Sequence, residues 1–345
     1  MSRVYRWDWM RLVLIVLVVF GHLLDRVASS GGGTAQLDYW IYVFHMPAFI
    51  FLSGLFAKHN IQQRRFNKIF ELLGYYLIAK VILFGAQWLV APAQVPAFSL
   101  LSESGVPWYL FAMFWFELGA VLVDRFDHRW VLIGVGLISL LGPYLPFIGD
   151  ALVSARFIGF LPYFYLGYLF DPQWLTEQLH AKYLPLLGGV VLVVTAVLVW
   201  ALYEHLGSTW GLLTCRLPYV KMGDLYVRYG PVMRLIFQTG VIVIIMAIAA
   251  VMPVGKGPFV WIGAKTLQVY VFHIPLIRLV NDVLHLDRFI AQYIPSVIMA
   301  NLLIAVVIVL LCVTPPVSWL TRWLFHPVQA YTQLMKRWQN QSAIS

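Results

Sequence analysis

Charge is what this sequence has least of. Only 11% of its 345 residues are Asp, Glu, Lys or Arg, against 61% hydrophobic, whereas a soluble domain carries roughly a quarter charged residues. Such scarcity excludes an ordinary water-facing surface. Cysteine is nearly missing too. Cys215 and Cys312 are too few for a disulfide-built fold, and the topology below sets them on opposite sides of a membrane, which speaks against a bond between them. Histidines are not grouped with acids or cysteines at ligand spacing, so no metal is expected. The net charge of +9 does not point to nucleic acid, because the basic residues sit in short links and form no basic surface interleaved with aromatics. Repeats, low-complexity stretches and a separate soluble domain are also missing.

What is present is a series of apolar runs of helix-spanning length, each needing about 20 residues to cross the hydrocarbon. They recur from the first residues to about position 313. The expected fold is all-α: a polytopic integral membrane helical bundle of about ten transmembrane helices, over 9–28, 38–57, 69–90, 107–123, 130–147, 155–170, 184–203, 231–252, 259–280 and 290–313. Residues 1–313 form the membrane domain and 314–345 a C-terminal tail. The first run, Leu12 to Phe20, leads into His22, Asp25 and Arg26 with no clear small-residue cleavage site; it is read as a retained helix and not a signal peptide.

Lys and Arg mark the cytoplasmic side. Arg3 and Arg6, the link with Lys58, Arg64, Arg65 and Lys68, Arg125 with Arg129, Lys182, Lys256 with Lys265, and Arg322, Lys336 and Arg337 all fall on one face, while loops 29–37 and 91–106 contain neither residue. Both termini are therefore expected in the cytoplasm. Loop 204–230 is an exception, with Arg216, Lys221 and Arg228 on the outer face. It is also rich in Trp210, Tyr219, Tyr226 and Tyr229, beside Glu204 and Asp224, which suits either sugar contact or an interfacial aromatic belt.

Ionisable groups inside a membrane are costly unless they face protein or water, so they are the functional candidates. Ten residues separate Arg11 from His22, and eleven steps make about three helical turns, which places them on one face about 16 Å apart. Asp8 precedes Arg11 by three residues, and Asp25 and Arg26 follow His22 by three and four. Alone, Arg11 reads as a positive-inside anchor; the in-phase pair with acids beside each favours a lined cavity. His22 suits proton transfer because imidazole titrates near neutrality. In the second run His45 is followed by Pro47, which frees a backbone carbonyl, and Ser53-Gly54 permits close helix approach. Lys80 and Glu117 both lie near mid-membrane and are expected to pair. His273, two residues before Pro275, completes a set of three intramembrane histidines.

Several segments together resemble the acyltransferase 3 family of bacterial membrane O-acyltransferases, nearest to its fucose 4-O-acetylase-like branch. Arg11 and His22 are similar to the family's Arg/Lys-x10-His signature. Phe44-His45-Met46-Pro47 with Phe51-Leu52-Ser53-Gly54 is similar to its FHMP and FLSG stretches. Pro107-Trp108-Tyr109-Leu110, Leu161-Pro162-Tyr163-Phe164 with Leu166-Gly167-Tyr168, and Gly263-Ala264-Lys265-Thr266-Leu267 with Tyr270 and His273 follow in the family's order. One departure is Arg65-Phe66-Asn67-Lys68, beside Arg64, where the family carries Arg-x-x-Arg; lysine keeps the charge but loses the bidentate fork.

The resemblance implies an O-acetyltransferase of the bacterial inner membrane. Acetyl would pass from cytoplasmic acetyl-CoA, a co-substrate, to a hydroxyl of an extracytoplasmic sugar or polysaccharide, with membrane lipids as the other partner. The implied catalytic positions are His22, Arg11, His45 and Asp8; the implied donor-binding positions are Arg65, Lys68, Arg64 and His273. Many family members add an extracytoplasmic hydrolase-like domain, for which this chain leaves no room, so acceptor handoff is expected to fall to this domain or a partner. Two other classes fit a polar-lined bundle: a transporter of a sugar or lipid-linked intermediate, which predicts two related halves with discontinuous helices, and a membrane scaffold, which leaves the three histidines unexplained.

Overall fold

A computed structural model describes residues 4–28, 31, 33–92, 97–103 and 105–326. Arg3, Lys336 and Arg337 lie outside the described residues, and the tail is described only as far as His326. Among the described residues there are helices and no β-strand, save one isolated bridge between Ser102 and Ala151. In chain order they are α1 (Tyr5–Val27), α2 (Thr34–Gln62), α3 (Asn67–Val90), α4 (Trp108–Val123), α5 (His128–Leu141), α6 (Ser154–Leu169), α7 (Pro172–Gln178), α8 (Leu184–Leu206), α9 (Trp210–Thr214), α10 (Asp224–Val251), α11 (Thr266–Arg278), α12 (Leu286–Tyr293), α13 (Val297–Cys312) and α14 (Pro315–Phe325). Helix α11 is entered through a 3-10 turn, Val260–Lys265, and leaves through a π turn, Leu279–Val283.

Helical backbone occupies each interval expected to span. Among the described residues, five helical segments suffice by length and composition to cross a membrane: α2, α3, α8, α10 and Val260–Val283; a sixth does if α13 and α14, bent by 61°, are one span. A count of ten crossings thus rests also on shorter or more polar helices. The last expected span does not begin at 290. Pro295 lacks an N–H and disfavours helix in the residue before it, so α12 stops at Tyr293 and α13 restarts where Ser296 Oγ accepts from Met299 N at 3.3 Å.

Burial sorts the helices by role. In its most apolar stretch α2 is 72% buried, whereas α8 is 6% buried and presents its side chains to lipid. Helix α1 lies inside the bundle, with Trp7, Met10, Leu14, Val19, Leu23 and Leu24 fully buried. Its Arg6 is not a surface anchor. The guanidinium is 2% exposed and donates to Ala249 O at 2.6 Å and Ala250 O at 3.4 Å, capping carbonyls that the end of α10 leaves unpaired.

Close approach is made by glycine. A Cβ at Gly54 of α2 would lie 2.0 Å from Phe164 O of α6, and one at Gly167 of α6 would lie 2.1 Å from Phe51 O of α2. Each helix thus seats the other's backbone where a side chain would stand, the expectation from Ser53-Gly54. Gly263 does the same against Asp8 O, at 2.1 Å. Cys215 and Cys312 are both free and buried.

Lys80 does not pair with Glu117. It donates to Glu103 Oε2 at 2.7 Å, Tyr76 Oη at 3.0 Å and Ser102 O at 2.9 Å. The reason is depth: Lys80 stands about 20 Å from the start of α3, while Glu117 is only about 9 Å from the end of the antiparallel α4. Both partners are at most 10% exposed, so removing one leaves a buried charge. Lys80→Met is expected to lower stability by about 3 kcal/mol in detergent unfolding, and Lys80→Met/Glu103→Gln to recover at least half of that. A single variant as stable as the parent protein would mean the pair is solvated.

Candidate functional site

Three helices each carry a polar pair at a spacing of three, which places both members on one face: His22 with Asp25 on α1, Tyr42 with His45 on α2, and Tyr270 with His273 on α11. The bundle brings the pairs together. His22 Nδ1 lies 3.3 Å from Asp25 Oδ2, and Tyr42 Oη donates to that same oxygen at 2.6 Å. The His22 ring stacks on His273 with centroids 5.4 Å apart and planes at 25°, and Tyr42 meets His45 edge-on at 4.8 Å.

The three imidazoles differ in what holds them. His45 Nδ1 donates to Ile41 O at 2.9 Å and His273 Nδ1 to Val269 O at 3.0 Å, so each neutral ring has its proton fixed on a backbone carbonyl of its own helix. His273 is fully buried, and its Nε2 has no hydrogen-bond partner among the described residues. His22 alone of the three has its Nδ1 beside a carboxylate. That arrangement assigns the proton to Nδ1 and leaves Nε2 as the lone-pair nitrogen.

A cavity of about 360 Å³ opens at His22, Asp25, Tyr42, His45 and Tyr270, with Arg156, Trp108 and Trp210 also in its wall. Arg156 is 6% exposed, donates to Glu103 O at 3.2 Å and stands 4.9 Å over the Trp108 ring. At its mouth Arg216 forks onto Asp150 at 2.6 and 3.2 Å.

At the other end of α1, Arg11 donates to Asp8 Oδ1 at 3.4 Å and lies 4.2 Å over the Phe56 ring. A cavity of about 410 Å³ opens there, lined by Asp8, Arg11, Phe56, Lys58, His59 and Gln62 among others. Between the two ends is a mostly apolar cavity of about 290 Å³, whose polar members are Ser53, Asn60, Glu117 and Thr266 with the hydroxyl-bearing rings of Tyr75, Tyr109 and Tyr270. The middle cavity shares Phe56 with the Arg11 cavity and Val18, Met46 and Tyr270 with the His22 cavity. The three stand in series along α1, with Phe56 as the partition beneath the Arg11 guanidinium.

Of the residues singled out in the sequence, His22, His45 and His273 thus cluster at one end and Arg11 with Asp8 at the other. Arg64 and Arg65, in the link between α2 and α3, and Lys68, in the first turn of α3, lie beyond the Arg11 end; all three are exposed and do not line its cavity. His273 is not with them. The sequence gives no role to Tyr42 or Arg156, and names Trp210 only among the aromatics of a loop suited to sugar contact or an interfacial belt. The repeated Tyr-x-x-His spacing of α2 and α11 was a usable signal for Tyr42, and a lone arginine within an apolar helix was one for Arg156. No signal marked Trp210 above the other aromatics of its loop.

A family model described as an acyltransferase domain matches residues 4–323. The nodulation protein NolL of Sinorhizobium fredii (strain NBRC 101917 / NGR234) is 29% identical over 194 residues, covering 51% of each chain. The NolL protein of Mesorhizobium japonicum (strain LMG 29417 / CECT 9101 / MAFF 303099) is 33% identical over 70 residues, 19% of each. The chain therefore spans about half the length, or less, of these curated relatives. No solved structure matches it.

Proposed function

Since the chain belongs to the acyltransferase 3 family and is a multi-pass membrane protein, we propose that it is an O-acetyltransferase of the bacterial inner membrane, near the fucose 4-O-acetylase-like branch. It moves acetyl from acetyl-CoA at a cytoplasmic Arg11 end to a hydroxyl of a sugar or polysaccharide at the opposite end. Both termini are cytoplasmic, and α1 with its companions makes about ten crossings. The observation that carries this reading is the series of cavities with a guanidinium at one end and a carboxylate-held imidazole at the other.

In the proposed reaction the acceptor hydroxyl gives its proton to His22 Nε2 as its oxygen bonds to the thioester carbonyl carbon. The carbonyl oxygen gains the negative charge, which the Arg156 cation in the same cavity offsets. Collapse breaks the carbon–sulfur bond, and the departing thiolate recovers the proton from the imidazolium, leaving CoA thiol and the acetyl ester. Asp25 stabilises the cationic ring between the two steps, and Tyr42 fixes Asp25. His45 and His273 pack the wall around His22. The middle cavity, mostly apolar with a few polar members, takes the pantetheine arm, while Arg11, held by Asp8, and Lys58 meet the phosphates, with Arg64, Arg65 and Lys68 as outer contacts.

The test is release of free thiol by purified protein given acetyl-CoA and a panel of glycans. Acceptor-dependent release supports the reading, and its absence across the panel, with sugar uptake retained in vesicles, would favour transport, which cavities in series also suit. Arg11→Ala is expected to raise KM for acetyl-CoA about tenfold or more, the worth of a charge-assisted contact, with a smaller change in kcat. Arg11→Lys should recover part of the loss. An unchanged KM would leave Arg11 as an anchor only.

A further inference from the structure

Beside the His22 cavity is a second opening of about 430 Å³, lined by Asp38, Tyr39, Tyr203, Glu204 and Trp210 together with small residues. Its volume falls in the ordinary range for ligand sites, about 300–1,000 Å³. Trp210, 40% exposed, lines both cavities. Its ring lies 5.2 Å from Tyr42, which holds Asp25, and 6.0 Å from Tyr39 on the far side. Tyr39 in turn meets Tyr203 edge-on at 6.0 Å and is tied by its hydroxyl to Thr209. The opening therefore begins one aromatic ring away from the imidazole.

Its chemistry is specific. Three aromatic rings supply apolar faces with negative charge, against which the weakly positive C–H groups of a sugar ring pack. Two carboxyl groups supply acceptors for hydroxyls, and no described residue of the lining is basic. Asp38 is 6% exposed, and its Oδ1 has no hydrogen-bond partner among the described residues. The Asp38 carboxyl also meets Asp25 of the His22 cavity, so the acid of the opening and the acid beside the imidazole are neighbours. Acids without a cation among them disfavour an anionic ligand.

Resting on the transferase reading above, we propose that this side cavity is a second acceptor subsite. It takes a neutral pyranose unit next to the unit acylated at His22, with Trp210 shared between the two. The preferred acceptor is then a neutral glycan of at least two sugar units. An isolated monosaccharide fills only the His22 cavity.

The test uses full-length protein in nanodiscs and a panel of methyl glycosides of neutral hexoses and 6-deoxyhexoses, with the corresponding disaccharides. For the best acceptor, kcat/KM of the disaccharide is expected to exceed that of its monosaccharide at least tenfold. Tyr203→Ala, remote from His22, is expected to lower that ratio about tenfold, and Glu204→Gln about threefold. A ratio within twofold of one in the parent protein, or one unmoved by both variants, overturns the subsite. Calorimetric titration without acyl donor separates this from the transferase reading. A disaccharide whose affinity drops about tenfold in Tyr203→Ala, in protein that releases no thiol, keeps the subsite and removes the enzyme. Thiol release with no such drop keeps the enzyme and removes the subsite, and no disaccharide binding at all removes the subsite as well.

Discussion

Replacing His22 by alanine is expected to lower acceptor-dependent thiol release by about 10³-fold, within the 10²–10⁴ range typical of a positioned general base. A sugar hydroxyl is a weak nucleophile toward a thioester, and without an imidazole its proton has to pass to water. His22 is singled out by geometry, because its Nδ1 faces Asp25 at 3.3 Å while His45 and His273 are bound to carbonyls of their own helices. Asp25→Asn keeps the shape and removes the charge that supports the cationic ring, so a loss of about tenfold or more is expected in kcat with KM for acetyl-CoA unchanged. The measurement is initial rate of thiol release at saturating donor, on protein whose elution profile and thermal unfolding match the parent. A His22→Ala rate within threefold of the parent would remove the assigned mechanism.

Gly54→Val is expected to cost at least about 3 kcal/mol, the upper end for overpacking, and to abolish recovery of folded protein. Its Cβ would meet Phe164 O at 2.0 Å and Tyr168 N at 3.0 Å. Both are backbone atoms, which cannot rotate away, so α2 and α6 have to separate. That separation reaches the site, because α2 carries Tyr42 and His45 and α6 carries Arg156. Gly74 and Gly85 on α3 are internal controls. Nothing lies within 4 Å of a Cβ at either, and alanine there is expected to stabilise by up to about 1 kcal/mol through helix propensity. Fluorescence-detected size exclusion and unfolding midpoints check both outcomes. A folded Gly54→Val protein with parental stability would show that the two helices do not pack at this distance.

Much of the architecture could be read from residue order because helical periodicity is a local property. The eleven-residue step from Arg11 to His22 fixes a shared face of α1, and the apolar runs fix where helices stand. Depth was harder to read. Lys80 and Glu117 look level when spans are counted in residues, yet α3 and α4 run antiparallel with unequal lengths beyond each residue, and Lys80 instead finds Glu103 in the following loop. Arg6 looks like a membrane-surface cation, but a neighbouring helix end with bare carbonyls gives it a buried partner.

By itself the sequence determined an all-α membrane bundle, the family to which it belongs, the shared face of Arg11 and His22, and the small-residue contact at Gly54. Only the tertiary structure decided that His273 stacks on His22, that Phe56 partitions the cavities beneath Arg11, and that Trp210 joins the His22 cavity to an acidic, aromatic neighbour. The division has one cause. Periodicity gives each side chain a direction and a height on its own helix, whereas the residue it meets is set by which helix stands opposite and at what distance, and that is fixed by backbone contacts such as Gly54 against Phe164 and Gly167 against Phe51.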